Sequence, residues 1–123
     1  MSDTKKEYVV RPDEKGTINI SEDVVAAIAV SAALEVDGVG EMTQAATGRA
    51  KKNAVKGVKL RIGEDCVIID LQLMVKYGQP IPVVAQNVQE AVANAVESMT
   101  ELNVVQVNVR INGITFGEET AAQ

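Results

Sequence analysis

Acid–base and nucleophilic catalysis need a titratable group held beside a partner, and histidine serves most often; this sequence has none. The other candidates are few. Asp70 is the one carboxylate in the middle of an alternating apolar-polar run, and Lys59 is its predicted cross-strand neighbour, so the two read as a surface ion pair. Glu90 and Glu97 stand one heptad apart, which puts both on the solvated side of a helix. Cys66 has no second cysteine to bond, and the neighbouring acids Glu64 and Asp65 disfavour its thiolate. No His, Cys or acid spacing suits a transition metal. Gly38-Val39-Gly40 lacks the third glycine and the following helix of a dinucleotide site, and no Gly-Lys-Ser/Thr step occurs. The expectation is a non-enzyme without cofactor or metal.

What remains is recognition, and two surfaces qualify. From Thr43 to Gly57 there is no acid, while Arg49, Lys51, Lys52 and Lys56 are all basic, so this loop carries +4 and leaves −9 on the remainder of a chain of net charge −5. A basic loop can dock an acidic partner or an anionic surface. The second surface is a sheet face on which Lys59, Arg61, Asp70, Gln72, Lys76, Gln106, Asn108 and Arg110 alternate with inward apolar residues, interrupted by Ile68 and Met74. Two apolar groups amid such polar ones can seed an interface. Candidate interaction residues are therefore Arg49, Lys51, Lys52, Lys56, Arg61, Ile68, Met74 and Arg110. A sequence pI near 4.7 opposes nucleic-acid binding, because phosphate attraction dominates that affinity.

The elements that must position these groups follow from periodicity. Gly16 to Ile20 alternates as a short strand with Ile18 and Ile20 inward. Ser21 is a good N-cap, Glu22 and Asp23 suit a helix's first turn, and Val24, Val25, Ile28, Ala29, Ala32 and Ala33 form the stripe of a helix over about 22–35. Asp37 to Gly40 ends it, and Val39 to Met42 suits a short strand. Val58 to Ile62 and Val67 to Tyr77 form a hairpin whose register sets Ile62 opposite Val67, Leu60 opposite Ile69 and Lys59 opposite Asp70. Pro82 starts a second helix running to about Met99, with Val84, Val88, Ala91, Val92, Ala95, Val96 and Met99 on its stripe. Val105, Val107, Val109 and Ile111 alternate with polar residues in a last strand.

The order β-α-(β)-β-β-α-β, with half-polar strands, predicts an α+β two-layer sandwich, an antiparallel or mixed sheet with two helices on one face. Residues 16–117 form the single domain. Residues 1–15 balance four acids against four bases and are expected to be a mobile N-terminal arm, with 118–123 a frayed acidic tail. No stretch is long and apolar enough for a bilayer, no signal peptide is expected at Met1, and the lone cysteine suits a reducing cytoplasm.

Gly16-Thr17-Ile18-Asn19-Ile20 running into Val24-Val25-Ala26-Ala27-Ile28-Ala29, then Glu35-Val36-Asp37-Gly38-Val39, Val75-Lys76-Tyr77-Gly78, Ile81-Pro82-Val83-Val84-Ala85 and Val104 to Val109 resemble the alkaline shock protein family of envelope stress response proteins over about residues 15–117. The resemblance implies a small cytoplasmic protein of Gram-positive bacteria with no known catalytic activity, linked to cell-envelope homeostasis and to alkaline or general stress. It further implies self-association, and membrane association through a separate membrane-anchored partner. The loop at 43–57 departs from the glycine-rich, apolar stretch associated with the family. The alternative reading is a K-homology-like RNA-binding module, which shares the β-α-β-β-α-β order but needs a G-x-x-G loop between two helices that this chain lacks.

Overall fold

The computed structural model describes residues 15–43, 57–64 and 66–116 in full and residues 8–13 by their backbone. The chain runs β1 (Tyr8–Asp13), β2 (Gly16–Ser21), α1 (Glu22–Leu34), β3 (Val39–Met42), β4 (Val58–Ile62), β5 (Cys66–Lys76), α2 (Ile81–Thr100) and β6 (Asn103–Thr115). From β2 onward this is the expected order, and the sandwich is an α+β fold with a mixed main sheet.

β5 organises that sheet. It pairs antiparallel with β4 in the expected register, Lys59 opposite Asp70 and Ile62 opposite Val67. It also pairs antiparallel with β3 and parallel with β6. β3 and β4 lie end to end along one edge of β5, since β3 meets Leu73 to Val75 while β4 meets Val67 to Leu71. Alternate residues of β5, Val67, Ile69, Leu71, Leu73 and Val75, are buried beneath the helices. Val25, Ala29 and Ala33 of α1 and Val84, Val88, Val92 and Val96 of α2 close on them. Four buried valines at four-residue spacing each contribute about 1.5–3 kcal/mol relative to exposure. Ser21 caps α1, its Oγ accepting from the Val24 N–H at 3.3 Å.

Several expectations are corrected. Residues 8–13, assigned to a charged arm, form β1 and pair with β2 as a separate two-stranded sheet; the balanced charges conceal a β-favouring Tyr8-Val9-Val10 run beside a strand with an open edge. Because β2 has no place in the main sheet, Ile18 is 44% exposed and only Ile20 reaches the core. Val24 and Met99 leave their stripes, at 49% and 69% exposed. Adjacent Val24 and Val25 differ by about 100° around the helix, so only one can face inward. At the end of α2 the inward place goes to Thr100, whose hydroxyl donates to the Val96 carbonyl at 2.7 Å and accepts from the Leu102 N–H at 3.1 Å. Irregularities in the β5–β6 register turn Val105 outward and bring Val104 in.

Candidate interaction surface

The uncovered face of the sheet holds the charged and polar residues that the alternation turns away from the helices. Arg61 on β4 donates through Nε and Nη2 to the Asp70 carboxylate at 3.2 and 3.1 Å, and Asn108 Nδ2 on β6 donates to the same carboxylate at 2.8 Å. Lys59 is Asp70's direct cross-strand partner, as the sequence indicates, but the ion pair is made by the diagonal Arg61. Partial burial pushes the Asp70 carboxyl up; the hydrogen bonds from Asn108 and Arg61 and the charges of Arg61 and Lys59 outweigh it and hold the carboxyl below its ordinary value. A carboxylate kept ionised and occupied in this way is a poor proton acceptor. A second polar row runs beside it, Asn112 Nδ2 donating to Gln72 Oε1 at 2.9 Å and to Thr43 Oγ1 at 2.8 Å.

The structure therefore brings Arg61, Ile68, Met74 and Arg110 to one face, on three neighbouring strand rows. Met74 lies over Gly113, where an added Cβ would sit 3.0 Å from its terminal methyl. Sequence reasoning missed Thr43, Asn112 and Gly113. Their polar or small character was visible, but their meeting depends on β6 running parallel to β5, which no local pattern encodes.

Arg49, Lys51, Lys52 and Lys56 lie outside the described residues, but the loop's two ends are fixed. The Thr43 N–H donates to the Gln72 carbonyl at 2.9 Å, and the Gln72 N–H donates to the Gly57 carbonyl at 2.8 Å. One residue of β5 thus holds both the exit and the return of the loop. Gly57 has φ +83°, and a Cβ there would sit 2.8 Å from Met42 Cβ and from the Thr43 carbonyl, so only glycine fits the pinch.

A shallow groove of about 300 Å³ runs between α2 and the outer edge of β6. There α2 side chains serve the strand's backbone: Gln89 Nε2 donates to the Val107 carbonyl and the Val104 N–H donates to Glu97 Oε2, both at 3.0 Å. Its acid, Glu90, has no base beside it among the lining residues, so the groove holds no acid–base pair. Tyr77 and Phe116 are brought into ring contact at 5.2 Å, both well exposed. Among the described residues there is no cluster of three or more His, Cys, Asp or Glu side chains placed to hold a metal, and no helix is long and apolar enough to cross a membrane.

Residues 10–116 match the model of the Asp23 family, described as having a cell envelope-related function; the family's name is unconnected with the residue Asp23 of this chain. The chain is 40% identical over 113 residues to the uncharacterized protein YqhY of Bacillus subtilis, covering 88% of this chain and 82% of that one. The uncharacterized protein Spy1535 of Streptococcus pyogenes is 34% identical over 102 residues, covering 80% of this chain and 79% of its own length. A stress response regulator gls24 homolog of Streptococcus pyogenes is 30% identical over 67 residues, 54% of this chain and 37% of that one. Among solved structures, a variant of the MamM CTD superposes with a TM-score of 0.50 at 18% identity, covering 75% of this chain and 98% of that one, a likeness of fold alone.

Proposed function

Because this chain belongs to the Asp23 family, whose function is cell envelope-related, we propose that it is a non-enzymatic protein of the envelope and alkaline stress response, working by self-association and by docking to a membrane-anchored partner. The observation that carries the reading is the family match over nearly the whole domain, joined to a sheet face whose Asp70 is committed to Arg61 and Asn108. The name of the gls24 homolog supports the stress assignment. In this reading the protein works in the cytoplasm and reaches the membrane through its partner. Arg61, Ile68, Met74 and Arg110 supply one contact face, and the loop bearing Arg49, Lys51, Lys52 and Lys56 supplies the other.

Cell fractionation tests the docking. The protein should sediment with membranes and be released by high salt without detergent, as a protein held through charged contacts would be. Recovery solely in the soluble fraction, under stress as well as at rest, contradicts it.

A further inference from the structure

The two broad faces of the sandwich carry opposite charge. Neither α1 nor α2 contains a lysine or arginine, and Asp23, Glu35, Glu90 and Glu97 are exposed on the helix side. Lys59, Arg61, Lys76 and Arg110 stand on the sheet side, four of the five basic residues whose side chains are described, Lys15 being the fifth. Asp70 neutralises Arg61 within the sheet. Among the described strand residues that leaves Lys59, Lys76 and Arg110 against Glu41, so this part of the sheet face stays positive. Each face also carries exposed apolar groups: Ile68 and Met74 sit partly exposed on the sheet, while Val24, Leu34 and Val83 are each about half exposed on the helices.

We propose that copies of this chain associate head to tail, the basic sheet face of one seating on the acidic helix layer of the next. The inference rests on the self-association proposed above and specifies its surfaces. Pairing like faces is disfavoured: sheet on sheet sets Lys59, Lys76 and Arg110 against their own copies, and helix on helix does the same with the acids. Sheet on helices matches charge and apolar groups together. A contact between two different faces leaves one of each free at the ends, so the assembly is open and grows by addition instead of closing as a dimer.

The size of the face sets the strength. The 11 residues of β5 span about 36 Å, and three strand rows span about 14 Å, so one contact covers about 500 Å² per copy. About 1,000 Å² in total lies at the lower limit of specific interfaces. Each contact is therefore weak, concentration-dependent and salt-sensitive.

Charge exchange tests the arrangement, using the full chain in sedimentation velocity across a concentration series, with thermal melts to verify folding. One variant carries Lys76→Glu and Arg110→Glu, making both faces acidic; the other carries Asp23→Lys, Glu35→Lys and Glu90→Lys, making both faces basic. Each alone should associate about tenfold more weakly than the parent, and an equimolar mixture should regain the parent's association, because acidic sheet then meets basic helices. The proposal is overturned if the Asp23→Lys, Glu35→Lys, Glu90→Lys variant associates like the parent, or if two folded variants fail to recover on mixing. Either result leaves self-association standing through other surfaces. A parent that is monomeric at every concentration removes self-association itself.

Discussion

Val92 lies at the centre of α2 and is fully buried, against the inner face of the sheet. Replacing it with alanine removes two buried carbons and leaves a cavity, a loss of about 2 kcal/mol. For a domain of this size that lowers the melting temperature by about 10 °C. Replacing it with aspartate also places a carboxyl with no partner in the same site, so the cost rises above about 5 kcal/mol, comparable with the whole stability of a small domain. Met99 provides the control. Helical spacing puts it on the same stripe, yet it is 69% exposed, so Met99→Asp should change stability by less than about 0.5 kcal/mol. Circular dichroism melts of the three variants check the reasoning. No cooperative transition is expected for Val92→Asp, a shifted one for Val92→Ala and a parental one for Met99→Asp. A parental melt for Val92→Asp, or equal damage from Met99→Asp, would show that α2 is wrongly seated.

Gly38 has φ +99°, and a Cβ there would lie 2.6 Å from Cγ2 of the buried Val84. Gly38→Ala should therefore cost about 2 kcal/mol or more in denaturant unfolding, and an unchanged midpoint would refute the close approach. The depressed carboxyl of Asp70 gives stability that is complete above its unfolded value and is lost as pH falls through the folded one. Melting temperatures measured downward from pH 5 should fall more steeply for the parent than for Asp70→Asn. Parallel curves would mean that the cluster of Arg61, Asp70 and Asn108 does not form in solution. The exposed edge of that cluster keeps the effect small.

Most of the architecture is written in local patterns. The Val84, Val88, Val92 and Val96 repeat, the Ser21 cap and the β4–β5 register all follow from side-chain periodicity, because each is decided by neighbours close in sequence. Errors arise where tertiary placement overrides the pattern. Val105 turns outward at an irregularity in the β5–β6 register, Met99 yields its place to a threonine whose hydroxyl serves the backbone, and Ile18 belongs to a sheet of its own. The candidate surface was half legible. Alternation puts Arg61, Ile68, Met74 and Arg110 on outward positions, whereas the contact of Asp70 with Asn108, 38 residues apart, depends on a parallel pairing that periodicity does not reveal. The charge contrast between the faces was hidden for the same reason: net charge is a sum, and only the fold separates its parts.

Sedimentation of the unmodified full chain over a broad concentration range at low salt, repeated at high salt, examines the central claim most directly. The account predicts an average mass that climbs steadily with concentration, without a plateau at two copies, and that falls when salt is added. A single monomeric species under every condition would contradict it.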